Sequence, residues 1–185
     1  EKNIENGEYL FKAMYTSSSQ KSYHRGASST HKLNAIQKQN CADPTAHIKA
    51  NDVLVAAATA TVPMTEPLAM TMSNLYTLMQ VDVRNNTGAE IVVTMFEMTA
   101  EGADLAAVFN VDDFDNPAIS ISSGASDKII VNITGGTVAA GASLPVYFVM
   151  APLADYSGDV TFKVTDADGN TYSKTVTMDG ISFEA

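Results

Sequence analysis

Ser143-Leu144-Pro145-Val146-Tyr147-Phe148-Val149-Met150-Ala151-Pro152-Leu153 is an unbroken apolar run bracketed by prolines. It leads through the corner Asp155-Tyr156-Ser157-Gly158 into the alternating stretch Val160-Thr161-Phe162-Lys163-Val164-Thr165. A continuous apolar run of this length suits a strand buried on both faces, whereas strict alternation suits a strand with one wet face. The two in succession predict a central strand turning into a half-exposed hairpin. The fold class that follows is all-β, a two-sheet β-sandwich with few or no long helices.

The neighbouring segments agree. Asp166-Ala167-Asp168-Gly169-Asn170 supplies a hairpin tip, with Asp-Gly meeting the positive φ angles such turns need, and residues 172–178 return as a strand. Residues 78–85 alternate with Met79, Val81 and Val83 on one face, turn at Asn85-Asn86-Thr87-Gly88, and come back over residues 91–98. Further strands are predicted at residues 8–14, 53–62 (closed by Pro63), 118–122 and 129–133 (ended by Gly135-Gly136). Residues 105–111 begin as a turn and end as a short strand, and residues 112–117 are loop. The total is about nine or ten strands, at the spacing of a sandwich.

The least regular part is residues 16–51, read as mostly loop. Seven serines and threonines precede Thr30 from Thr16 onward, and residues 31–40 read as a short helical turn stopped by Cys41-Ala42-Asp43-Pro44. The methionines Met64, Met70, Met72 and Met79 read as gap-filling core rather than a metal or cofactor stripe. With 185 residues, the expectation is a single β-sandwich domain over residues 1–185.

Charge and composition exclude several function classes. A net charge of −10, with eleven scattered basic residues, offers nothing to neutralise phosphates or anionic lipid, so neither nucleic acid nor a membrane surface is a partner. No stretch reaches the roughly 20 apolar residues of a spanning helix. The first residues lack the basic and apolar regions of a leader, which reads as a mature or trimmed chain or one never exported. Cys41 is the single cysteine, so no internal disulfide and no paired-thiol motif can form.

The search for chemistry yields no catalytic, cofactor-binding or metal-ligating residue. His24, His31 and His47 match no zinc spacing; His31 reads as exposed and His47 as a structural histidine. The acidic clusters Asp112, Asp113, Asp115 and Asp166, Asp168, Asn170 read as solvated turns. The second starts like a calcium loop but carries Thr177 where the twelfth-position glutamate belongs. Most aromatic residues fall inside predicted strands, leaving Tyr15 and Tyr23 as the exposed pair that could stack on a sugar.

Three segments in order carry a family resemblance. They are Gln37-Lys38-Gln39 followed by His47-Ile48 and Asp52-Val53-Leu54-Val55-Ala56; then Leu78-Met79-Gln80-Val81-Asp82-Val83-Arg84-Asn85; then Tyr147-Phe148-Val149-Met150-Ala151-Pro152 with Tyr156-Ser157-Gly158 and Asp168-Gly169-Asn170-Thr171-Tyr172. Together they resemble the fimbrillin-like proteins of Bacteroidetes, the type V pilin superfamily, whose pattern has a glutamine pair, a histidine and an aspartate before a strand. The resemblance implies sandwich domains of Greek-key, transthyretin-like topology in an exported precursor, initially a lipoprotein. It also implies a mature protein at the outer membrane or in the fimbrium at the bacterial cell surface. The chain lacks both the lipobox cysteine and the second domain common in such pilins, so it reads as a trimmed amino-terminal domain or a short member.

What the resemblance implies about function is a non-catalytic pilus subunit or adhesin without cofactors. Its partners would be other pilin subunits, joined by β-strand exchange through terminal segments, here residues 9–14 and 181–183, together with a host or bacterial surface glycan or protein. The alternative reading is a carbohydrate-binding accessory module of a surface glycan-uptake system, carried by Tyr15 and Tyr23.

Overall fold

A computed structural model describes residues 5–16, 23–25 and 28–185. Along the chain the strands are β1 (Gly7–Thr16), β2 (Tyr23–Arg25), β3 (Ser28–Lys32), β4 (Ile36–Asn40), β5 (Val53–Val62), β6 (Ser73–Asn74) and β7 (Thr77–Arg84). They continue as β8 (Ile91–Ala100), β9 (Ala106–Asp113), β10 (Ala118–Ser126), β11 (Lys128–Val138), β12 (Ser143–Met150), β13 (Leu153–Asp166) and β14 (Thr171–Phe183). A single 3-10 turn, Ile48–Ala50, is the helical element among the described residues. The expected all-β sandwich is what forms.

The strands make a five-stranded sheet in the order β14-β13-β8-β11-β4, a two-stranded sheet β12-β7, a three-stranded sheet β1-β5-β6 and a four-stranded sheet β10-β9-β3-β2. Sequence neighbours are often not sheet neighbours, so crossovers tie the layers together. The two-stranded sheet lies over the five-stranded one, with the Phe148 ring of β12 5.6 Å from Phe96 of β8. Between the other two sheets, Tyr76 in the turn from β6 to β7 tilts its ring against Phe109 of β9 with centres 5.8 Å apart, and Lys12 of β1 places its ammonium 5.1 Å from the centre of the Phe114 ring. A continuous set of buried apolar side chains, including Val55, Leu75, Phe96, Met98, Ile129, Phe148 and Val160, runs through these layers.

The run at Ser143–Met150 is a strand with Val146, Phe148, Val149 and Met150 buried. The corner after it lies inside β13, as two successive bulges around Tyr156. There the Tyr156 hydroxyl donates to the carbonyls of Glu101 and Asp159, at 3.1 Å each. The final hairpin forms as expected, with Asp166 at its tip.

Four expectations are corrected. Residues 31–40 make no helical turn: β3 pairs with β9, and β4 pairs in parallel with β11. Residues 16–51 are therefore less loop than expected, although 17–22 and 26–27 lie outside the described residues. Alternation in β4 is hidden because the buried positions are Gln37 and Gln39, and long-range pairing overrides the helix-tolerant composition. His31 is buried rather than exposed, since β3 faces Tyr76 and the core.

The pair Gly135-Gly136 does not end a strand. It sits in an irregularity of the β11–β8 register, and a Cβ on Gly136 would fall 2.3 Å from the Val93 carbonyl oxygen. The glycine lets the backbones approach where the strand bends. Finally, Met64 and Met72 are exposed rather than core, because they lie in the irregular stretch between β5 and β7.

On the outer face of the five-stranded sheet, Glu97 takes two ammonium partners, Lys163 at 3.0 Å and Lys128 at 3.3 Å. Burial works to raise its pKa, but the two lysines outweigh that and hold the carboxyl below its usual range.

Candidate functional site: an open seam opposite a closed one

The two lateral seams of the sandwich differ. On one side, the outer edge of β7 faces the outer edge of β14. Every residue of β7 from Thr77 to Arg84 is in register with β12, and no strand pairs with its other edge among the described residues. Backbone groups alternate sides along a strand. Since the groups of Pro145, Tyr147 and Val149 point away from β7 to other partners, the inward pairs are Thr77, Met79, Val81 and Val83 with Met150, Phe148, Val146 and Leu144. The peptide groups of Leu78, Gln80, Asp82 and Arg84 are left facing outward.

The side chains tell the same story. Met79, Val81 and Val83 share the inner face yet are only half-buried. Across the gap, Tyr172 and Lys174 are in register with the core-facing Val164 and Phe162, yet both are exposed. Between them lies a groove of about 530 Å³ with Val81, Val83, Ile91, Phe96, Phe162 and Val164 as its apolar floor. Asp82, Arg84, Tyr172 and Lys174 form its rim. At the far end the Thr77 hydroxyl donates to the Phe183 carbonyl at 3.1 Å, which ties the two edges together. The seam is a wedge, closed at Thr77 and open toward Arg84.

On the other side, β4 and β12 meet at a closed corner. Gln37 donates to the Val149 carbonyl at 2.6 Å and accepts the Val149 amide at 3.1 Å. Gln39 donates to the Pro145 carbonyl at 2.8 Å and accepts the Tyr147 amide at 2.8 Å. The Nε2–H of His47 donates to the Tyr147 carbonyl at 2.9 Å. Both glutamines are buried.

The remaining candidates do not converge. His31 pairs its Nδ1 with the Tyr76 hydroxyl at 3.0 Å, its Nε2 has no protein partner, and burial pushes its pKa down to about 4. His47 lies against Tyr147, and the side chain of His24 lies outside the described residues. Asp166 accepts the amides of Asp168 and Asn170, the Asn170 carboxamide and the Tyr172 hydroxyl, which holds its carboxyl below the usual range and ties it into the turn. Asp113 accepts the amides of Asp115 and Asn116 in a similar local turn. Among the described residues no three His, Cys, Asp or Glu side chains gather as a metal site. Tyr15 is exposed; the Tyr23 ring lies outside the described side chains.

The terminal candidates are both strands within sheets. β1 pairs along its whole length with β5, leaving Leu10 and Tyr15 exposed on a sheet edge. Residues 181–183 continue β14 against β13. What the sequence did not reveal is the seam: Val81, Val83, Tyr172 and Lys174 look like ordinary alternation, and nothing local says that no described strand pairs with the outer edge of β7.

No helix among the described residues is long and apolar enough to cross a membrane. Comparison with curated proteins and with solved structures returns no match. The family profile described as fimbrillin-like matches residues 3–185. An all-β sandwich with this match over nearly its whole length belongs to the fimbrillin-like family, one of fimbrial structural proteins of the cell surface.

Proposed function

We propose that this chain is a structural subunit of a fimbria, exported to the bacterial surface, and that the seam between β7 and β14 accepts a strand from a neighbouring subunit. The observation that carries this reading is a two-stranded sheet lying over a five-stranded one, with Met79, Val81 and Val83 half-buried beside an edge that has no strand partner among the described residues. An added strand would meet the outward peptide groups of Leu78, Gln80, Asp82 and Arg84, and its alternate side chains would fill the apolar groove. An uncovered edge of this kind is otherwise an aggregation hazard, so a defined occupant is the economical reading. The role is structural rather than catalytic, and one domain suffices for it, in keeping with the continuous buried cluster.

The occupant is a strand of another subunit of the same family, because main-chain pairing needs an extended segment and the rim offers both signs of charge, Asp82 beside Arg84 and Lys174. The test is Val83→Arg, which puts a charge on the groove floor where the monomer is already half-open. The variant should melt within a few degrees of the parent while losing assembly into fibres. Ile36→Arg, at a position 59% exposed on β4, serves as the control. Assembly of the Val83 variant at the parental rate would remove the seam from the mechanism.

A further inference from the structure

We propose that Gln37, Gln39 and His47 act as an edge lock, a surrogate strand of side chains that bars strand addition at β12 and leaves β7–β14 as the open one of the two seams flanking the β12–β7 sheet. The second half of this statement rests on the pilus reading; the lock itself does not.

From Pro145 to Val149 the outer edge of β12 presents the Pro145 carbonyl, the Tyr147 amide and carbonyl, and the Val149 amide and carbonyl, and all five are filled by these three side chains. A glutamine carboxamide offers a carbonyl acceptor and N–H donors on one carbon, the same groups a peptide unit offers, so two glutamines stand in for two peptide units. Their spacing of two residues along β4 matches the period at which β12 presents its outward groups. Pro145 adds to the effect, because it has no N–H to offer an incoming strand. The next outward donor is also taken, since the Ala151 amide donates to the Leu105 carbonyl.

The geometry separates blocking from simple packing. An apolar pair at positions 37 and 39 would fill the same space and leave the edge of β12 unpaired. Carboxamides, each 1–2% exposed and aligned with opposed partners, remove the edge from use. Among the described residues the opposite seam has no such device over Leu78, Gln80, Asp82 and Arg84. The sandwich is thus polar across its width, closed to strands on one side and open on the other.

The test uses the full chain carrying Val83→Arg, so that the open seam is blocked throughout. Residue-resolved hydrogen exchange should show the Tyr147 and Val149 amides as slow as those of Val146 and Phe148, which face β7. Adding Gln39→Met should speed Tyr147 exchange at least 100-fold while Val149, Val146 and Phe148 stay slow; Gln39→Asn, too short to reach, gives the same result if the methionine variant folds poorly. Sedimentation of the Gln39 variants should then show a concentration-dependent dimer that the Val83→Arg parent does not form. Rapid exchange at Tyr147 and Val149 in the parent would overturn the lock, as would a Gln39 variant with an exposed Tyr147 amide that sediments as the same monomer. A wild-type chain that never assembles would count against the pilus reading alone and would leave both readouts unaffected.

Discussion

Gln37 and Val149, 112 residues apart in sequence, exchange two hydrogen bonds through one side-chain amide, at 2.6 and 3.1 Å. A side chain there stands in the place of a neighbouring strand. Replacing it with Gln37→Leu keeps the volume but strands a buried N–H and C=O on Val149. The expected cost is about 2–3 kcal/mol, read as a lower urea midpoint with an unchanged slope. A variant as stable as the parent would mean that water replaces the carboxamide freely.

Gly136 is expected to be intolerant of the smallest substitution. Its missing Cβ lies 2.3 Å from the Val93 carbonyl oxygen and 2.8 Å from Cγ2 of Ile133, and a backbone oxygen cannot swing aside as a side-chain tip can. Gly136→Ala should destabilise by about 1–3 kcal/mol. Gly88→Ala tests the other use of glycine in the same fold, since nothing stands near it and only its φ of 82° resists a side chain. Thermal melts of the two variants should rank Gly136→Ala as the more damaging.

Burial sets the pH response of His31. Its folded pKa is pushed from 6.5 down to about 4, so the unfolded chain binds a proton across the interval between them and the folded chain does not. Stability from this group is complete above about pH 6.5 and is lost progressively as the pH falls toward 4. The loss amounts to at most about 3 kcal/mol. Between pH 7 and 4.5 the stability of the parent should fall relative to that of His31→Gln, whatever the absolute stability of the variant. Parallel curves would show that His31 does not titrate in this way.

Much of the fold is legible because its decisive residues obey simple periods. Leu144 to Met150 reads as buried because it is continuously apolar, and Met79, Val81 and Val83 read as one face because they alternate. Ten expected strands are found, some with different limits, beside four short ones, β2, β3, β4 and β6, that were not expected. The reason is particular to each: β4 buries glutamines, β3 buries His31, β6 is two residues long, and the side chains of β2 lie outside description. Hydrophobic patterning cannot register a buried polar side chain whose partner lies about a hundred residues away.

The candidate site was less legible still. Alternation says which face of β7 is apolar, but whether that face is covered depends on how many strands its sheet contains. That number is a property of the whole topology. The glutamine pair was visible as a motif, while its action on β12 needed the corner between the two sheets. The segments near the ends, expected to take part in exchange, are paired within this chain as β1 against β5 and as the end of β14 against β13.

The most direct measurement is hydrogen exchange at Leu78, Gln80, Asp82 and Arg84, compared between monomer and assembled fibre. If a neighbouring subunit adds a strand along β7, the amides of these residues exchange quickly in the monomer and at least 100-fold more slowly in the fibre, while Met79, Val81 and Val83 are slow in both. Equal exchange at the four outward amides in monomer and fibre would contradict it.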